Sequence, residues 1–403
     1  DLYHDCVKDL SASIAKLMGI SGKVRRMDSM MIESNIRKLS RMELIYTCIA
    51  KLAVYVDKIN DSALSDDLKH YIDPNDFNRV IYHQRSTGAD ERMKQLLTDA
   101  DKLVALCESG YNDSTEYDLF VRCLSEQTIV ENENRRLRTK EDGGMKSSMM
   151  QNPSDPEATF RSKAGKEHRG YAANLEESVG ANGSVVTEYQ YEQNNHSDSQ
   201  FIREHLEQMD KQEERTVIVA DGAYSGTGNT QLAADKNVEL ITTSLTGKPA
   251  PDILADFAFN EEGTKILRCP AGHAPKSCSY MKQSSQCAVS FLHEQCAGCP
   301  YQDQCKPKIF KKVAKIVTSK AAHERAKIQR NMDSKEFKNY ARLRNGVETV
   351  PSNIRKNYHL EKIPGGKQRG KFFFGSKIAA LNFRKLFNYV KGLGHYAQNP
   401  VLA

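Results

Sequence analysis

No apolar run in the sequence is long enough to cross a bilayer, and its start carries no secretory signal. These absences argue against a helical membrane protein and a secreted one, so a soluble, cytoplasmic chain is expected. There is no internal repeat of useful length. The one loop that could be mistaken for a phosphate cradle, "GAYSGTGN", lacks the Lys-Ser/Thr ending of a P-loop, which excludes that mode of nucleotide binding. The first residue is Asp1 and not Met, so a fragment or processed product lacking an N-terminal module is expected. What remains is ordinary globular material. The 403 residues are 39% hydrophobic and 27% charged, enough for two or three domains and a substantial core.

Acidic residues run short toward the C-terminus. From Lys306 onward 23 Lys/Arg stand against 5 Asp/Glu, a local balance of +18 in a chain of net charge +6, which leaves −12 for the rest. Part of such a block only solvates a surface, but segregation on this scale points to a polyanionic partner, with nucleic acid the leading candidate.

The ten cysteines are segregated as well. Cys6, Cys48, Cys107 and Cys123 lie among apolar neighbours and read as core residues. The other six crowd into 269–305, and clustering in a non-secreted chain favours metal over disulfides. Cys296-x-x-Cys299 has the spacing that lets one turn present two thiolates to a tetrahedral zinc. Cys305 and Cys269 complete a four-sulfur structural site. Cys278, Cys287 and His273 remain open as substitutes, and reduced, uncoordinated thiols are the bland alternative.

Along the chain, "GKVRRMDSMMI" (22–32) reads as a strand with Asp28 in its second half. From 34 to 130 apolar residues recur at three- and four-residue steps, the helical period, and 131–154 reads as irregular. Strands are expected at 170–179, 183–193 and 215–221, the first two joined as a hairpin by Asn-Gly at 182–183. A helix at 229–236, a strand in "VELITTSL", the Cys-rich segment, helices over 319–344 and a closing amphipathic helix follow. This order predicts an α/β fold, a mixed sheet with helices on its faces.

Divalent-metal phosphoryl chemistry needs acids that converge from different elements. Asp28 and Asp221, the latter at the tip of "VIVADGAYSG", supply a pair; ordinary turn chemistry also accounts for Asp-Gly. Glu348, set between Arg344 and Arg355 in "RLRNGVETVPSNIRKNY", is an isolated acid in a basic stretch.

Together "MDSMMI", "VIVADGAYSG" and the Glu348 segment resemble the DDE transposases of bacterial insertion sequences, in the branch with a Cys-rich insertion before its glutamate. "GKEHRGYAANLEES", "RCPAGH" and "RGKFFFGSKIAALNFRKLF" look like the same branch, so the resemblance runs from about residue 22 to 390. In that family an Arg stands four residues before the glutamate and a Lys or Arg seven after it, positions that Arg344 and Arg355 match. Tyr340 is one residue out of step with the family's tyrosine, and no role is carried onto it. The resemblance implies a ribonuclease-H-like fold, with a helical insertion after the first strand and a Cys-rich insertion before the last catalytic helix. It implies that Asp28, Asp221 and Glu348 bind Mg2+ or Mn2+. Asp155 is the rival first acid, although Asp-Pro reads more simply as a turn.

On this basis residues 1–33 begin the catalytic core and 34–150 are a helical insertion with a flexible connector. Residues 151–260 supply core strands and helices, 261–310 a Cys-rich zinc-binding insertion, and 311–403 the basic helical end of the core. The implied activity is cleavage of double-stranded DNA at element ends, followed by attack of the freed 3′-hydroxyl on target DNA, by a homodimer or larger nucleoid-associated assembly. A non-transposing nuclease and an inactive DNA-binding relic are the alternatives. Arg344, Arg355, Lys356, Lys367, Arg369 and Lys371 are the expected phosphate contacts. Phe372, Phe373 and Phe374 have the chemistry to stack on a base, but read more simply as a strand entering the core.

Overall fold

Runs of β-branched and apolar residues build the centre of the molecule, and helices with one apolar stripe cover it. The computed structural model describes residues 1–82, 88–132, 134–163, 165–245, 247–360, 362–393 and 402. Helix α1 (Leu2–Leu17) leads into strand β1 (Val24–Ser34), and then come α2 (Arg41–Ile59), α3 (Ala89–Glu108) and α4 (Thr115–Gln127). The Ser40/Glu43 capping box starts α2. These three helices bury Ile45, Leu52, Ala100, Leu103 and Phe120 in a core of their own.

A small hairpin, β2 (Thr128–Glu131) and β3 (Asn134–Leu137), opens the stretch expected to be irregular. Its strands are four residues long and charged, too short for alternation to register. Then come β4 (Thr159–Lys163), β5 (Lys166–Gly180), β6 (Gly183–Gln193), α5 (Asp198–Gln208), β7 (Thr216–Ala220), α6 (Thr227–Asp235) and β8 (Val238–Thr242). The expected β5–β6 hairpin is present, but it turns differently. Gly180 pairs with Gly183, so Ala181 and Asn182 form the turn. Neither has a positive φ, so the turn is not type I′; the positive φ falls on Gly183, at 136°. The Asn182 side chain is used elsewhere, donating to the Met18 carbonyl at 2.9 Å.

The Cys-rich region folds as β9 (Ala258–Phe259), β10 (Ile266–Arg268), β11 (Ser277–Met281), β12 (Gln286–Leu292), the one-turn helices α7 (His293–Cys296) and α8 (Gln302–Cys305), β13 (Lys308–Ile309) and β14 (Val313–Thr318). Strands β11, β12, β14 and β13 make a separate sheet in that order. Helices α9 (Lys320–Asn331), α10 (Lys335–Asn345) and α11 (Thr349–Tyr358), strand β15 (Lys362–Ile363) and helix α12 (Lys367–Val390) end the described chain elements.

The central sheet runs β4-β5-β1-β7-β8, with β6 also on β5 and β15 on β1. Strands β7 and β8 continue β1 in parallel, whereas β5 is antiparallel to both β1 and β6. The sheet is therefore mixed and flanked by helices. Alternation along β1 sorts the layers. Met30 and Ile32 pack with Ile354 of α11 and Phe374 of α12, while Met27 packs with Ile202 of α5 on the opposite face. Asp28 has the parity of Met30 and Ile32. On β7, Val217 and Val219 meet Tyr340 and Leu343 of α10, and Asp221 shares their parity. Both acids thus belong to the face covered by α10, α11 and α12.

Phe372, Phe373 and Phe374 do not enter the core as a strand; they lie in α12. Phe374 is buried against Tyr189 and Tyr191, and Lys377 lies over the Phe373 ring.

Candidate active site

Strands β1 and β7 pair with Arg26 opposite Val219. Two residues further on, Asp28 stands beside Asp221, where β7 has just ended. Asp221 caps a single helical turn, Gly222–Tyr224, its Oδ1 accepting from the Ala223 amide at 2.7 Å. Only glycine fits at 222, because a Cβ there would lie 2.5 Å from the Ser244 carbonyl oxygen. Tyr224 is fully buried and donates to Asn174 Oδ1 at 2.7 Å; Asn174 in turn donates to Gln190 at 2.7 Å. The tyrosine of "DGAYSG" therefore anchors the turn that presents Asp221 to β5 and β6.

The third acid arrives from the helical layer. Helix α10 ends at Asn345, and one 3-10 turn, Gly346–Glu348, joins it to α11. Arg344, in the last turn of α10, lies between the acids. Its Nη2 is 3.5 Å from Asp28 Oδ1 and 3.8 Å from Asp221 Oδ2, and its Nη1 donates to Glu348 Oε1. One guanidinium thus reaches all three carboxylates. Burial pushes the Asp28 carboxyl up to about 6; Arg344 and the Ser29 amide oppose the rise, and the neighbouring Asp221 adds to it. Glu348, at 60% side-chain exposure, faces solvent, whereas Asp28 at 15% lies in the cleft.

Sequence reading passed over the residues that hold this segment. Arg26, in β1, is buried; it donates to Glu177 Oε2 at 2.6 Å and to the Leu343 carbonyl at 2.9 Å. Lys385 of α12 donates to the other Glu177 oxygen and to Ser184 Oγ at 2.9 Å. A Cβ on Gly346 would collide with the Arg26 guanidinium. The available signal was the adjacent Glu176-Glu177 pair inside the strand expected at 170–179. Glu176 is likewise buried, with Arg25 at 3.1 Å and His205 Nε2 at 2.7 Å.

Asp155, the rival first acid, lies elsewhere. It is fully buried and accepts from the hydroxyls of Ser34 and Tyr171, the latter at 2.6 Å. It works as a structural acceptor joining β1 to β5.

Of the six cations expected to meet phosphate, four already have partners. Arg344 holds the acids, Arg355 donates to the Met31 carbonyl at 3.2 Å, Lys367 pairs with Glu192 at 2.5 Å and Lys371 with Asp1 at 3.1 Å. Lys356 and Arg369 are exposed.

The six clustered cysteines divide into two sets. Cys269, Cys296, Cys299 and Cys305 line one cavity. Burial pushes Cys305 up to about 11, and the other three add to the rise. Cys278 and Cys287, on β11 and β12, are not part of that lining; Cys278 Sγ accepts from the Ile266 amide at 3.5 Å and Cys287 donates to the Gly263 carbonyl at 3.6 Å. His273 is not part of the cavity lining; its carbonyl accepts from the Cys269 amide at 3.0 Å. Among the described residues, no three His, Cys, Asp or Glu side chains are already drawn together as metal ligands.

Residues 268–387 match the model of a family described as a transposase DDE domain. The match supports a DDE-type transposase, the family that the sequence motifs resemble. It takes in the four cavity cysteines, Arg344 and Glu348, and covers under a third of the chain; Asp28 and Asp221 lie outside it. No curated protein and no solved structure matches the chain. Among the described residues no helix is long and apolar enough to cross a membrane.

Asp155→Ala is expected to lower stability by about 1–3 kcal/mol in urea unfolding, because two buried hydroxyls lose their acceptor. Mn2+ binding should survive. A folded Asp155→Ala chain that no longer binds Mn2+ would hand the first-acid role to Asp155.

Glu176 and Glu177 yield a pH dependence. Desolvation alone would raise both; His205 and Arg25 outweigh it at Glu176, and Lys385 and Arg26 at Glu177, holding each down at about 2. A depressed folded pKa stabilises fully above the unfolded value of about 4.3 and is lost below it. Stability should therefore fall as pH drops from that value toward 2, and Glu177→Gln should flatten the fall. An unchanged slope in that variant, read by urea titration at each pH, would contradict the assignment.

Proposed function

We propose that the chain is a DNA transposase catalytic unit of ribonuclease-H-like architecture, with Asp28, Asp221 and Glu348 as its acids. The observation that carries this reading is convergence: three carboxylates from two adjacent strands and a helical turn meet at one guanidinium. The sheet supports it, since a central strand continued in parallel on one side and antiparallel on the other is consistent with that fold.

The donor set fits a hard divalent cation, because all three side chains offer carboxylate oxygen and the two aspartates are neighbours across paired strands. When bound, Mg2+ or Mn2+ supplies charge neutralisation at the phosphoryl oxygens and a more acidic water. The chain's own residues do the rest. Asp28 and Asp221 orient from the rigid sheet, so their spacing is set by strand pairing and not by loop motion. Glu348 closes the site from the more exposed side. Arg344 balances the charge of the three apposed acids, which would hold the cation in its place. Lys356 and Arg369 lie exposed on the surface, where they would contact backbone phosphates without reading sequence. The reaction is in-line phosphoryl transfer: water breaks the P–O3′ bond at an element end, and the freed 3′-hydroxyl attacks a phosphodiester of target DNA, whose own 3′-oxygen leaves and takes up the proton. A homodimer or larger assembly on paired ends is part of this proposal.

A direct test uses supercoiled plasmid carrying the DNA that flanks the chain's own coding region, with Mn2+ or Mg2+. At saturating DNA, Asp28→Asn, Asp221→Asn and Glu348→Gln should each slow cleavage roughly 10²–10³-fold, several kcal/mol of transition-state stabilisation. Joined products mark strand transfer; cleavage without joining marks a nuclease. Metal-independent cleavage, or wild-type activity in all three variants, would sink the proposal.

Binding should weaken steeply with salt. Replacing both Lys356 and Arg369 by Ala should lower the slope of log K against log salt by about 1–2, on any duplex sequence. An unaltered slope would place the DNA path elsewhere.

A further inference from the structure

The activity proposed above makes no use of the cysteines, yet their arrangement is specific. We infer that Cys269, Cys296, Cys299 and Cys305 form a closed, structural four-thiolate site for zinc.

Three separate pieces of chain bring these sulfurs together. Cys269 opens a tight turn in which the Gly272 amide returns to the Cys269 carbonyl at 2.8 Å, with Gly272 at φ 84°. Cys296 ends α7 and Cys299 follows through Gly298, at φ 81°, with the Cys299 amide on the Cys296 carbonyl at 3.3 Å. Cys305 ends α8, and the next residue, Lys306, takes the left-handed conformation at φ 48°. Glycine permits the first two reversals at no steric cost; a lysine in that conformation has no such licence. The chain is thus repeatedly folded back to aim four thiols inward.

The space they enclose suits one ion. The cavity is about 20 Å³, walled on its apolar side by Phe291 and Ile316, and a single water-sized sphere needs about 10–15 Å³. Zinc–sulfur bonds are about 2.3 Å, so binding would draw the four sulfurs closer together than they stand here. The all-sulfur donor set selects a soft or borderline cation over Mg2+ or Ca2+, and four ligands leave no open position for substrate.

The lobe also needs a staple. Between Ala258 and Thr318 the apolar cluster buries Ile266, Cys287, Val289 and Phe291, joined by Phe257 just before this stretch, with Cys269, Cys296 and Cys305 among the partly buried residues at its margin. Five side chains are a small core for about 60 residues, and domains of that size characteristically add a metal or disulfides. Cys278 and Cys287 are outside the site, each occupied with a backbone hydrogen bond.

The test is metal analysis of the full chain, purified with reductant and without chelator, followed by Co2+ exchange. About one zinc per chain is expected, and Co2+ should give the thiolate charge-transfer and ligand-field absorption of a tetrahedral sulfur site. Cys299→Ser and Cys305→Ser should lose that absorption; Cys278→Ser and Cys287→Ser should keep it. Should a serine variant fail to fold, mercurial titration of wild type decides, with zinc release tracking modification of four thiols. No zinc and no cobalt absorption on the reduced wild type would overturn the inference, as would equal loss in Cys278→Ser. Because Asp28→Asn should retain its zinc, failure of this site and failure of the transposase reading are separately visible.

Discussion

One buried carboxylate organises the end of the molecule where the acids meet. Glu177 has no solvent exposure, and an uncompensated charge in that position costs several kcal/mol. Its two oxygens are taken by Arg26 and Lys385. The arginine is the joint, since its other arm holds the Leu343 carbonyl, one residue before Arg344. Charge burial therefore couples four elements: β1, which carries Asp28; β5; α12; and the end of α10, from which Glu348 follows. The close approach of Gly346 to the same guanidinium leaves the turn no freedom to drift. Such a network gives little net stability over an apolar core of the same shape. What it gives here is position, because none of the four elements can shift without exposing or unpairing a charge.

Much of this was legible in residues whose local pattern admits one reading. "VIVADG" combines β-branched residues with a turn dipeptide, and the strand ends where the pattern says it should. The helices of 34–130 were legible because their apolar period extends over several turns. Asp28 was harder. Its strand has no clean alternation, since β1 packs on both faces and is buried at both parities. Neither the Asp28–Asp221 register nor the Arg26–Glu177–Lys385 network can be read from spacing, because each joins residues well over a hundred positions apart.

The misread Phe372–Phe374 stretch has a physical cause. Three consecutive aromatics fit either period, and the flanking glycines argue against a helix. Both glycines are in α12 for packing. A Cβ at Gly370 would strike the Tyr191 hydroxyl and one at Gly375 the Tyr189 hydroxyl, so the helix can lie on β6 only where its surface is bare. The tyrosines that demand this are some 180 residues upstream. Local propensity was overridden by a contact that the local sequence does not contain.

The basic C-terminal block looks different once its partners are known. A balance of +18 suggests one continuous face for polyanions, yet much of it is spent inside the protein. Lys385 neutralises a buried glutamate, Arg344 three acids, Lys367 and Lys371 acids of β6 and α1. The negative remainder of the chain is in part the counter-charge that docks this block on the sheet. Excess cation is then left at exposed Lys356 and Arg369 and on β13 and β14 of the Cys-rich lobe. For a duplex brought to the acidic cleft, like-charge repulsion between phosphate and the three carboxylates would be relieved by cation. Under the transposase reading, DNA binding and metal binding therefore favour one another, since each supplies the charge that the other lacks.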